Sequence, residues 1–171
     1  MPVTPSEQNR GVFEDLVAAN ERYAESFRLQ GIPAKAARNL GVVTCIDSRI
    51  EPLDMLGLAP GDAKIIRNAG GRVTDDVLRS LIIASNLLAV SRIAVIHHTR
   101  CAMTTTEAEL TASIAAQAGL DTQGRTWHTI DEPTAALTAD VEAVRACELI
   151  DAAVTGWRYD VDSGLLHHVV D

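Results

Sequence analysis

The chain has 171 residues, the length of one ordinary domain, and is 47% hydrophobic but only 4% aromatic, so a sizeable core has to rest on Ala, Val, Ile and Leu. A formal net charge of −8 argues against nucleic acid or an anionic membrane surface as partner, because both reward a basic face. No apolar run approaches the roughly 18 residues of a membrane span, Met1 to Arg10 carries no signal-peptide pattern, and the 3 cysteines do not make a disulfide scaffold; a reducing, cytoplasmic setting is expected.

In chain order, Phe13, Leu16, Val17, Tyr23 and Phe27 have helical spacing and predict a helix from Gly11 to Leu29, stopped by Gly31-Ile32-Pro33. Leu40 to Cys45 is short, apolar and β-branched, which reads as a buried parallel strand, with Asp47-Ser48-Arg49 just past its end. Glu51 to Leu58 reads as a short helix closed by Gly57 and Pro60. Ala63 to Arg67 is a second strand running into Asn68-Ala69-Gly70-Gly71. Thr74 is a good N-cap, with Asp75 and Asp76 in the first turn of a helix that continues to about Ala89. Arg92 to His97 is a third strand, followed by His98 to Cys101. Thr106 to Ala118 reads as a helix, Gly119 to Pro133 as polar and irregular, and Thr138 to Ala153 as a further helix in which Cys147 packs among Ala143, Val144, Ala146 and Ile150. Val154 to Val161 and Leu165 to Val170 read as two strands joined by Asp162-Ser163-Gly164. The alternation predicts an α/β fold: a central, mainly parallel β-sheet flanked by helices, with an N-terminal helical arm and a C-terminal strand region. A single domain is expected over 1–171, with the arm at 1–38 and the α/β core at 39–171.

Three polar clusters fall at predicted strand C-termini: Cys45 to Arg49, Arg67 to Gly71, and His98 to Cys101. Open α/β sheets bind ligands outside the carboxyl ends of their strands, so residues far apart in sequence converge on one rim. Two thiolates and an imidazole, from Cys45, His98 and Cys101, suit a borderline-soft divalent ion, zinc by default. Three protein ligands leave one tetrahedral position open, the arrangement of a catalytic rather than a structural site. Taken singly, each cysteine reads more readily as a small buried hydrophobe and His98 as a core histidine. The adjacent Asp47 and Arg49 favour the site: an Arg beside an Asp keeps the carboxylate ionised, and a fixed carboxylate can take a proton or a hydrogen bond from metal-bound water. His97 lies on the strand with its side chain on the opposite face, whereas His98 has the three-residue offset to Cys101. His128, His167 and His168 lack nearby thiols or acids and read as exposed or interface residues. Asn68, Ala69 and Gly70 are candidates for a substrate pocket, or equally a tight strand-to-helix turn; no phosphate-binding fingerprint is present.

Cys-x-Asp-x-Arg after one strand and His-x-x-Cys after a later one resembles the β-class carbonic anhydrases, as do Ile66 to Gly70 and Val73 to Leu81. The resemblance spans about Val42 to Met103 and is strongest to short bacterial members. It implies one Zn2+ per subunit on Cys45, His98 and Cys101. Asp47 would orient or deprotonate the bound water, and Arg49 would keep Asp47 off the metal. The implied activity is reversible hydration of CO2 to bicarbonate by zinc-bound hydroxide. The implied assembly is a homodimer or dimer of dimers, the N-terminal helix embracing its neighbour. The family also contains hydrolases of carbonyl sulfide and carbon disulfide, so release of hydrogen sulfide from those substrates is the alternative. A non-catalytic zinc scaffold and a Cys45-nucleophile enzyme are less favoured. Arg100 and Ala102 depart from the acidic residue and Gly common there: pointing inward, Arg100 would acidify the bound water or attract bicarbonate; pointing outward, it would make only a salt bridge.

Overall fold

The computed structural model describes residues 12–171, and the chain divides into two compact units, Met1–Ile32 and Pro33–Asp171. In the first unit the helix α1 spans Glu14–Glu25, shorter than the expected Gly11 to Leu29; residue 11 lies outside the described residues. Ser26 ends it by donating its N–H back to the Tyr23 carbonyl. The helix buries none of its residues: Phe13, Leu16, Val17 and Tyr23 are each more than half exposed.

The second unit is a five-stranded sheet in the order β2-β1-β3-β4-β5. Its strands are β1 (Leu40–Cys45), β2 (Ala63–Asn68), β3 (Arg92–His98), β4 (Ala153–Tyr159) and β5 (Leu166–Val170). The first four run parallel and β5 is antiparallel to β4, so the sheet is the mainly parallel one expected. The register sets Thr44 against both Arg67 and Ile96, which brings the ends of β1, β2 and β3 to one rim. The connecting helices are α2 (Pro52–Met55), α3 (Asp75–Leu87), α4 (Glu107–Ala118) and α5 (Pro133–Arg145). Val77, Leu81 and Ala84 of α3 and Leu137, Val141 and Val144 of α5 form one buried cluster with Val43 and Val95 of the sheet. Gly156 permits the close approach of α5 to β4: a Cβ there would lie 3.0 Å from Val141 Cγ2. An open groove of about 330 Å3 is lined by Leu40, Ile96, Trp157 and Leu166. Among the described residues no helix is long and apolar enough to cross a membrane.

The last helix also differs from expectation. The last helix begins at Pro133 rather than Thr138, because Glu132 accepts a capping bond from the Ala135 N–H at 2.7 Å and Pro133 fills the first helical position, where its missing N–H costs nothing. The same helix stops at Arg145, and Cys147 and Ile150 follow in successive turns, so Cys147 is half-buried outside the helix. Thr74 holds the N-cap position of α3 but makes no side-chain capping bond. Thr106, by contrast, closes a full capping box on α4: its hydroxyl accepts from the Glu109 N–H, and the Glu109 carboxylate accepts from the Thr106 N–H.

The irregular stretch after α4 is tied down by one carboxylate. Glu107 Oε2 accepts from the Trp127 N–H at 2.9 Å and Oε1 from the Thr129 N–H at 3.0 Å. The Thr129 and Trp127 amides hold the Glu107 carboxyl below its ordinary value. A lowered carboxyl contributes stability above the unfolded pKa and loses it as pH falls through the folded one. Glu107→Gln is therefore expected to be less stable than wild type near neutral pH, and the gap to narrow as the pH falls below the ordinary carboxylate range; urea denaturation at neutral and at acidic pH checks it.

Candidate metal centre

Cys45 closes β1, His98 closes the neighbouring β3, and Cys101 follows His98 after a turn in which Arg100 has φ +53°. Their donor atoms lie within 4.8 Å of one another, the two sulfurs 4.0 Å apart, and the residues are 4%, 5% and 7% exposed. His98 Nδ1 lies 2.9 Å from the Thr99 carbonyl oxygen. A carbonyl only accepts, so Nδ1 carries the proton and Nε2 presents a bare lone pair. That Nε2 is buried and has no hydrogen-bond partner. An orphaned buried acceptor beside two thiols is costly unless a cation completes it, and a metal-ligating histidine characteristically gives its other N–H to a carbonyl. The donor set therefore fits zinc.

The two thiols share their ionisation. A hydrogen bond from Cys101 pulls the Cys45 thiol down, helped by the backbone amides of Asp47 and Gly70 against the effect of burial. The same contact with Cys45, together with burial, pushes Cys101 up. The Gly70 N–H donates to Cys45 Sγ at 3.3 Å.

Asp47 stands over the opening. Arg49 grips its carboxylate twice, Nε to Oδ1 at 2.9 Å and Nη2 to Oδ2 at 2.7 Å, and the Arg49 N–H adds a third bond to Oδ1 at 2.9 Å. The Arg49 side chain holds the Asp47 carboxyl well below the usual carboxylate range. Asp47 Oδ2 is 3.9 Å from His98 Nε2. Arg49 Nη2 also reaches the Arg100 carbonyl at 3.1 Å, tying the β1 loop to the loop that carries Cys101.

Around this centre the turn Asn68-Ala69-Gly70-Gly71 is bracketed by one side chain: Asn68 Nδ2 donates to the Arg72 carbonyl at 2.8 Å and Oδ1 accepts from the Arg72 N–H at 2.9 Å. Ala69 is exposed and Gly70 is buried with φ +82°. Arg67, which by sequence stands only within a motif, donates to the carbonyls of Cys45 at 2.9 Å and Asp47 at 2.7 Å and so braces the backbone on both sides of Ile46. The β4–β5 connection braces the other loop, Thr99 Oγ1 donating to Asp160 and accepting from the Val161 N–H. His97 points away from the centre to the buried Asp140. Arg100 turns outward and pairs with Asp162, and Ala102, His128, His167 and His168 lie outside the centre.

Fold and site define an α/β protein with a Cys-His-Cys group that could hold a metal ion at the carboxyl rim of a mainly parallel sheet. The family model described as carbonic anhydrase matches residues 40–122. Beta-carbonic anhydrase 1 of Mycobacterium tuberculosis is 34% identical over 165 residues, 92% of this chain and 98% of that protein. The crystal structure of carbonic anhydrase from Streptococcus mutans superposes with a TM-score of 0.86 at 35% identity and covers 99% of each chain. A carbon disulfide hydrolase of Saccharolobus solfataricus is 47% identical over 76 residues, 44% of this chain and 36% of that protein. The chain belongs to the β-carbonic anhydrase family.

Gly71 is the turn position least able to change: φ is +69°, and a Cβ would sit 3.0 Å from the Cys45 backbone nitrogen. Gly71→Ala is expected to destabilise the protein by about 2 kcal/mol and to weaken zinc binding, read by urea denaturation and by chelator competition.

Proposed function

We propose that this chain catalyses the reversible hydration of CO2 to bicarbonate, with one zinc ion per subunit held by Cys45, His98 and Cys101. The observation that carries the reading is the bare, buried His98 Nε2 converging with two cysteine sulfurs next to a carboxylate that Arg49 restrains. Zinc so held would supply an acidified water, its pKa brought towards ~7. Two thiolates balance the charge of the dication, and the Gly70 N–H tempers the Cys45 sulfur. Both Asp47 oxygens are already held by Arg49, so Asp47 accepts a hydrogen bond and orients the attacking oxygen rather than storing a proton. The same grip stops Asp47 from reaching the metal and closing the site. We assign Asn68, Ala69 and Gly70 to the substrate approach, because their turn aims the Gly70 N–H at Cys45 Sγ. Three unpaired cysteines agree with a reducing, cytoplasmic setting, and every residue assigned to the chemistry falls within the second unit, Pro33–Asp171.

The second reading is hydrolysis of carbonyl sulfide or carbon disulfide, favoured by the similarity to proteins named carbon disulfide hydrolase. These substrates are linear and apolar like CO2, and the same residues serve them. A non-catalytic scaffold has no use for the Asp47–Arg49 pair.

Parallel turnover on CO2, carbonyl sulfide and carbon disulfide with metal-quantified protein separates the readings. Fast CO2 hydration that falls to background in Cys45→Ala and on chelation is expected. Release of hydrogen sulfide with feeble CO2 hydration would favour the second reading, and activity that survives chelation would sink both.

Each unit carries apolar surface open to solvent, the outer residues of α1 and the sheet groove at Trp157 and Leu166, which supports a homodimer or dimer of dimers. Sedimentation is expected to give a dimer or a multiple of it, and Leu16→Glu to shift the population towards monomer; a wild-type monomer at working concentration refutes the assembly.

A further inference from the structure

Asp140 lies on α5, away from the metal ligands, and is only 3% exposed. A buried carboxylate persists only when its oxygens are fully engaged. Its Oδ2 accepts from Arg72 Nε at 2.6 Å and from His97 Nε2 at 3.0 Å, and its Oδ1 accepts from the Val73 N–H at 3.1 Å. These partners come from opposite sides of the metal centre. Arg72 and Val73 end the glycine turn whose Gly70 N–H points at Cys45 Sγ, and the Asn68 side chain ties that turn's start to its end. His97 immediately precedes the ligand His98 on β3. Arg72 also donates to the His128 and Thr129 carbonyls, at 2.9 and 2.6 Å, which joins the loop after α4 to the same anchor.

We propose that Asp140 is a positioning residue of the metal centre, a single buried carboxylate that locks the Cys45-facing glycine turn to the His98-bearing strand. A purely packing role would be served by an apolar residue, as it is by Val141 and Val144 on the same helix, both fully buried. Asp140 instead ties a fork from one side to an imidazole from the other. Ligand positions have to hold to about half an ångström for tight metal binding, so rigidity at one remove shows itself as affinity.

The inference rests on the zinc reading above, and the test separates the two. Zinc affinity is measured by competition with a chromophoric chelator, and the cobalt-substituted protein reports ligand geometry through its thiolate charge-transfer and d–d bands. Asp140→Asn is expected to bind zinc about 10- to 100-fold more weakly and to shift the cobalt bands. Val144→Ala, matched as a destabilised variant of the same helix, is expected to keep wild-type affinity and spectrum. Wild-type affinity and spectrum in Asp140→Asn overturn the proposal, as does an equal loss of affinity in Val144→Ala. Should Asp140→Asn fail to fold, Arg72→Lys and His97→Phe, which each remove one arm of the clamp, are read the same way: unchanged zinc affinity and cobalt bands in both overturn it. A wild-type chain that binds no zinc overturns the zinc reading and this one together; a wild-type chain that binds it while the variants match it overturns only this one.

Discussion

Parallel pairing of β1 with β3 is the constraint on which the rest depends. Parallel neighbours finish at the same rim, so a thiol that closes one strand and an imidazole that closes the other meet without a long loop. The pleat then sorts the side chains. His98 turns its ring to Cys45, and His97 turns to Asp140 on the helix side. A slip of one residue in β3 would exchange the two histidines, and the helix-side packing of Val95 with Leu81 and Val141 opposes such a slip.

Given that convergence, most of the surrounding chemistry is restraint. Three arginines act at different depths. Arg49 holds the Asp47 carboxylate, Arg67 holds the carbonyls beside Cys45, and Arg72 holds Asp140 and the loop carbonyls. Each uses the planar fork to bridge two groups at once, which a lysine's single point charge cannot do. The carbonyl of Thr99 fixes the His98 tautomer, and Thr99 is itself fixed by Asp160 and Val161 of the β4–β5 turn. That turn, remote in sequence, thereby reaches the imidazole.

Arg100 illustrates how a charge next to a ligand can stay out of the chemistry. Its backbone φ of +53° swings the side chain outward, where Asp162 takes it, while its carbonyl faces back to Arg49. The position contributes to the site through its backbone.

Residue types and spacing alone display the three candidate ligands, the Asp47–Arg49 pair and the parallel α/β order, because soft-metal chemistry demands particular side chains and buried parallel strands demand short β-branched runs. The start of α5 at Pro133 was hidden because a proline reads as loop until a preceding acid is known to cap it, and its end at Arg145 because an apolar run continues past it into turns. The bracing by Arg67, the clamp at Asp140 and the outward turn of Arg100 were decided only by the tertiary structure. An arginine can pair with many groups in a chain of this length, and which one it meets depends on strand order and register, which bring together residues that local sequence never sets side by side.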